Sequence, residues 1–108
     1  INDLMRPSLY DAYHEIINID AHQCIRKKYD IVGPVCETGD FLGKERLLAI
    51  KDNDTLAVLD TGAYGMSMSS NYNSRPRAIE LMVDDEIVHV IRERETFEHL
   101  IFGESLLP

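Results

Sequence analysis

Cys36 and Glu37 stand side by side in GPVCETGDFLG, residues 33–43, where a Gly-Pro pair and two further glycines make a turning loop. A carboxylate beside a thiol disfavours the thiolate, so the pair suits a proton donor better than a nucleophile. The plain alternative is a core cysteine at a strand end, the commoner place for one. Arg6 opens RPSLY, residues 6–10. The proline after it biases Arg6 toward extended backbone, which lets a guanidinium project and grip a carboxylate through two parallel hydrogen bonds. A surface arginine on a turn is the alternative. Tyr64 lies between Gly62 and Gly65. A helix starting there offers free N–H groups that suit a phosphate, with the phenol as an added donor. Gly-x-x-Gly is weak on its own, no GxGxxG or Walker pattern accompanies it, and a half-buried aromatic serves equally well. Tyr10 and Tyr13, three apart, would share a helix face.

Something must position these groups, and most of the pattern is strand. β-branched segments separated by turn residues predict strands at His14–Asp20, Asp30–Cys36, Arg46–Lys51 and Thr55–Leu59. Ala78–Val83 and Glu86–Arg92 flank Asp84-Asp85 as a hairpin. Its alternation puts Ile87, His89 and Ile91 on one face, making His89 an ordinary strand side chain. Short helices are predicted at Ala63–Asn71 and at Glu95–Phe102, the second with Thr96 as its cap and Gly103 beyond its end. Five or six strands and two or three short helices make a small, mostly β domain, a barrel or sandwich.

Bulk properties narrow the function. One domain fits 108 residues, 44% hydrophobic and 28% charged. A formal net charge of -8 argues against nucleic acid and anionic membranes as partners, and no apolar run reaches the length of a membrane span. Two cysteines, Cys24 and Cys36, allow one disulfide by count, yet so few point to a reducing, cytoplasmic setting. The histidines at 14, 22, 89 and 99 lack metal-pair spacing. The chain opens at Ile1 rather than Met, as a piece of a longer protein would.

Taken in order, MRPSLYDAYHEI (5–16), GPVCETGDFLG (33–43) and GAYGMSMSSNYNSRPR (62–77) resemble the C-terminal domain of the diaminopimelate decarboxylases. Thr38 stands where that family more often has Ser, and Ser8 where Ala is commoner. These enzymes are fold-type III pyridoxal 5'-phosphate (PLP) decarboxylases, similar to alanine racemase and to the ornithine and arginine decarboxylases. The resemblance implies a β domain, here residues 1–108, that follows a PLP-binding (α/β)8 barrel and works as a homodimer. It implies that the PLP-binding lysine lies in the barrel, that this piece alone is inactive, and that the family's N-terminal strand, missing here, leaves a sheet edge unpaired.

The implied reaction turns meso-2,6-diaminopimelate into L-lysine and CO2, the last step of lysine synthesis. By resemblance, Arg6 and Tyr10 bind the distal carboxylate and Glu37 the distal ammonium. Cys36 is the general acid, and Tyr64 donates to the PLP phosphate and borders the substrate. Cys36 and Glu37 reach into the partner's site. Asp40, Asp60 and Asn71 read as turn residues, and Arg75 and Arg77 as a charged strand entrance. A related ornithine, arginine or carboxynorspermidine decarboxylase domain stays open, as does a non-catalytic binding or dimerisation module.

Overall fold

Short antiparallel ribbons carry the chain in the computed structural model, which describes residues 3–20 and 24–108. His22 and Ile1 lie outside the described residues. In order the elements are α1 (Arg6–Tyr10), β1 (Ile16–Asn18), β2 (Lys27–Val32), β3 (Phe41–Leu48), β4 (Leu56–Val58), α2 (Gly65–Met68), a 3-10 turn (Tyr72–Ser74), β5 (Glu80–Asp84), β6 (Ile87–Arg92) and α3 (Phe97–Leu100). Among the described residues, β1 pairs with β4, β2 with β3, and β5 with β6. The mostly β expectation holds, with few and short helices.

β2 ends at Val32, so Gly33 and Pro34 fall beyond it rather than inside a strand reaching Cys36. β3 starts at Phe41, five residues before the expected Arg46. Gly43 reads as loop punctuation, but it is buried in the strand opposite Ile31. A Cβ there would run into the Arg46 guanidinium and approach Ile16 Cδ1 to 2.9 Å. The glycine thus permits a close approach inside a strand. The register slips between Tyr29 and Ile31, where Glu45 has a left-handed φ of 51° and donates its N–H to Asp30 Oδ1 at 2.8 Å. This is a bulge, with an extra residue on β3.

α1 corrects the extended reading of Arg6. Proline is tolerated in a first helical turn because no intrahelical donor is lost there. Pro7 is buried, the Leu9 N–H reaches Met5 O at 2.9 Å, and α1 packs against β3. These contacts outweigh the pre-proline bias. The helix stops at Tyr10 because Asp11 turns left-handed, φ 53°. Tyr13 therefore lies past the helix and shares no helix face with Tyr10.

Among the described residues the buried core is small: Leu4, Ile16, Val35 and Leu48 beside Pro7, with His14 and Asp40 as buried polar companions. His14 Nδ1 bonds Leu59 O at 3.0 Å, tying β1's approach to the end of β4. Asn18 joins β1 to the connection between β3 and β4 through Asp54 at 2.7 Å and Ala49 O at 3.0 Å. The β5–β6 turn falls at Asp85-Glu86, one residue later than expected, because Asp84 still pairs with Ile87. Asp85 takes the left-handed conformation that aspartate tolerates, φ 52°. α3 carries a capping box, Thr96 exchanging hydrogen bonds with His99.

The hairpin covers no core. Ile87 on one face and Val88 on the other are 59% and 58% exposed. Total accessible surface is 8492 Å², against roughly 6,100 Å² expected for a compact monomer of this mass. The radius of gyration is 16.4 Å, where about 13 Å is usual at this length.

Glu95 fastens the hairpin's exit to the segment before it. Its Oε2 accepts from Asn71 Nδ2 at 2.6 Å and from the Arg77 backbone N–H at 2.7 Å, and its own N–H donates to Arg77 O at 3.1 Å. Arg75 pairs with Asp3 at 3.0 Å. The Arg77 N–H and the Asn71 amide, with help from the Arg77 and His99 charges, hold Glu95 below its ordinary 4.5 although burial opposes them. A carboxylate depressed in this way contributes stability that is present above 4.5 and lost as pH falls through the folded value. Glu95→Gln is expected to lower Tm at pH 7, with the two melting curves converging below that window. A Tm difference that persists unchanged at the acid end would contradict the linkage.

Candidate functional site

β2 and β3 diverge after the Val32–Phe41 pair, and residues 33–40 form the connection. The Gly33 N–H donates to Asp40 O at 2.9 Å and closes its base. At its tip the Glu37 N–H donates to Val35 O at 2.8 Å, and the Asp40 N–H returns to Glu37 O at 3.2 Å. This winding buries Val35 and turns Cys36 and Glu37 out to solvent. The apolar neighbour supplies the anchor and the polar pair is presented, so the buried core-cysteine alternative does not describe Cys36. Both cysteines are free.

Glu37 meets a residue that sequence reasoning passed over. Tyr72, in the 3-10 turn, hydrogen-bonds its carboxylate. The charge of Glu37, and then the hydrogen bond, raise the Tyr72 phenol above its ordinary value. The phenol therefore stays protonated and donating across the neutral range. A tyrosine in NYNS gives no local sign of such a contact, because the partner lies far away along the chain.

A second group forms around α1. The Arg6 guanidinium lies over the Tyr64 ring, 4.7 Å from its centroid, within the range of cation–π attraction. Arg6 Nε is buried and, among the described residues, has no hydrogen-bond partner. Tyr10, four residues on, shares that face of the helix and is exposed. Tyr64 is the residue just before the first turn of α2, with its side chain half exposed. The structure thus joins Arg6 to Tyr64 and Glu37 to Tyr72. Cys36 projects beside the second pair without joining the first.

A cleft of about 520 Å³ lies elsewhere, between α1 and β3, lined by Pro7, Tyr13, Phe41, Lys44 and Arg46 among others. Arg46 stacks on Tyr13 at 3.8 Å. Cys36, Glu37, Arg6 and Tyr64 are absent from its walls. Cys36, Glu37, Tyr10 and Tyr64 stand exposed with Arg6 half-buried against Tyr64, an arrangement that needs a second surface to enclose a small molecule. Among the described residues, no three His, Cys, Asp or Glu side chains converge as a metal would require, and no helix is long and apolar enough to cross a membrane.

Residues 1–62 match the family described as pyridoxal-dependent decarboxylase, C-terminal sheet domain. The chain belongs to this family. It is 53% identical over all 108 residues to the diaminopimelate decarboxylase of Pseudomonas aeruginosa and 52% identical to that of Vibrio cholerae, spanning 26% of each. The chain therefore covers about a quarter of the length of the curated relatives it matches. Among solved structures it is similar to diaminopimelate decarboxylase from M. jannaschii in co-complex with L-lysine. That likeness has a TM-score of 0.92 at 42% identity and covers 99% of this chain and 25% of the other. The Helicobacter pylori enzyme complexed with L-lysine matches with a TM-score of 0.84 at 44% identity, over 93% of this chain and 25% of that one.

Membership in the family raises the cofactor question. The residues present fit the rim of a pyridoxal phosphate site. Tyr64 offers a phenolic donor at an exposed position, the right chemistry for one phosphate oxygen, and Arg6 stacks over its ring.

Proposed function

We propose that the full-length protein decarboxylates meso-2,6-diaminopimelate to L-lysine and CO2, and that this domain supplies the groups that read the substrate's far end and return a proton. The observation that carries the reading is identity above 50% across the entire chain to enzymes named for that reaction, with RPSLY and CETGD both present.

The substrate carries an amino-acid group at each end. Bound pyridoxal phosphate supplies the electron sink for loss of CO2, held by a lysine in an N-terminal (α/β)8 barrel outside this chain. Arg6 takes the distal carboxylate in a two-point grip, with the Tyr10 hydroxyl as a further donor. Glu37 takes the distal ammonium, its carboxylate oriented by Tyr72. Cys36 gives its Sγ proton to the carbon that has lost CO2. Tyr64 donates to the cofactor phosphate and borders the substrate. The chain acts within a cytoplasmic homodimer, and the outward Cys36–Glu37 tip serves the partner's site. The unburied hairpin and the excess of exposed apolar surface support packing against the rest of a longer protein.

Turnover of purified, PLP-loaded full-length protein tests this, with CO2 release measured from diaminopimelate, ornithine and arginine in parallel and lysine measured from diaminopimelate. Diaminopimelate is expected to be preferred by about four orders of magnitude in kcat/KM, the discrimination available when an analogue leaves buried polar groups unpaired. Comparable turnover of ornithine or arginine, or none of diaminopimelate, overturns the assignment.

A further inference from the structure

We infer that Asp40 is a positioning residue for the Cys36–Glu37 tip, locking the loop from inside so that proton donor and ammonium ligand are presented together. The inference rests on the roles proposed above for those two residues.

Asp40 is one of two buried polar or charged side chains among the described residues, only 8% exposed. An aspartate at the end of a surface loop ordinarily points to water, because desolvating a carboxylate is costly unless it is hydrogen-bonded. This one folds back under its own loop. Its Oδ2 accepts from the Val35 N–H at 2.6 Å, one residue before Cys36. That bond spans the loop in the direction the backbone bonds leave open. Gly33–Asp40 closes the base, Glu37–Val35 and Asp40–Glu37 wind the tip, and the carboxylate fixes Val35 to the base. Val35, itself buried, then fixes the direction in which Cys36 leaves the core.

Gly33 makes room for this. A Cβ there would collide with both Asp40 carboxylate oxygens. Its φ is not in the left-handed range, so a glycine is needed here for space and not for backbone freedom. Gly33 and Asp40, seven apart in sequence, are two halves of one lock. A displacement of about 1 Å in a catalytic group can cost on the order of 100-fold in rate, which is the scale on which such a lock matters.

Full-length PLP-loaded protein tests this with two readouts. The first is amide hydrogen exchange over residues 35–37, which needs no activity. Asp40→Ala and Gly33→Ala are expected to speed exchange there by at least about tenfold, through loss of the hydrogen bond and local opening. Asp40→Asn, which keeps an acceptor oxygen, stays near wild type. The second is turnover of diaminopimelate. Asp40→Ala is expected to lower kcat on the order of 100-fold and Asp40→Asn by only a few-fold. On a Cys36→Ala/Glu37→Gln background Asp40→Ala should cost nothing more, because the groups it positions are gone. Unchanged exchange in Asp40→Ala overturns the inference, as does an equal further loss of kcat on the double-variant background. If Asp40→Ala does not fold, Gly33→Ala reaches the same bond from the other side and decides. A wild type inactive on diaminopimelate sinks the functional reading, and the exchange arm still decides whether Asp40 holds the loop.

Discussion

Cys36→Ala in the full-length protein is expected to lower kcat for diaminopimelate by about 10²–10⁴-fold, the usual contribution of a positioned general acid. The thiol is exposed at the tip of the 33–40 loop, so removing it opens no cavity and should leave Tm essentially unchanged. Its sequence neighbour Glu37 is tied to Tyr72, and the Arg6–Tyr64 stack is a separate contact. Cofactor affinity, read from absorbance of the bound pyridoxal phosphate, should therefore hold. Because the acid acts after substrate is in place, kcat and kcat/KM should fall together. Water must then deliver the proton. In deuterated buffer the wild type should return lysine labelled on one face of its ε-carbon, the carbon that has lost CO2, and Cys36→Ala should return a mixture of both. Turnover near wild type, or retained one-face labelling, would remove Cys36 from the role.

The parts of the fold legible in sequence were those decided by near neighbours. The β5–β6 hairpin follows from alternation about an acidic pair, with an offset of one residue in the turn. Thr96 capped α3 because its partner His99 is three residues on. What escaped was decided by contacts distant along the chain. The proline in RPSLY argued for extended backbone, and burial of Pro7 against β3 made it helix. Gly43 looked like the end of a loop until Arg46 and Ile16 were found filling the space a side chain would need.

The candidate site divides in the same way. Residue type alone nominated Cys36, Glu37, Arg6 and Tyr64, since a thiol beside a carboxylate and an arginine beside a proline stand out locally. Tyr72 and Asp40 did not stand out. One matters through a carboxylate 35 positions before it, the other through a glycine and a backbone N–H inside its own loop. Both orient groups and neither is expected to react, and orientation leaves little trace in residue type.

Arg6→Met is expected to reduce kcat/KM for diaminopimelate by roughly 30- to 5,000-fold, the 2–5 kcal/mol cost of removing one partner from a buried hydrogen-bonded charge pair. Methionine keeps the bulk and discards the fork. Because Arg6 also stacks on Tyr64, part of the loss could pass through the phosphate contact, so the comparison needs two controls. Arg6→Lys keeps the charge but not the planar two-point grip and should fall between wild type and Met. Tyr64→Phe keeps the ring under the guanidinium and discards the hydroxyl, so it should weaken pyridoxal phosphate binding with little change in substrate preference. The decisive quantity is the ratio of kcat/KM for diaminopimelate to that for ornithine, which lacks the second carboxylate. Arg6→Met should collapse this ratio, because the substrate that loses its partner is penalised and the one that never had it is not. If both substrates lose equally, Arg6 holds the fold of α1 against Tyr64 and does not read the distal carboxylate, and specificity must then lie elsewhere in the full-length protein.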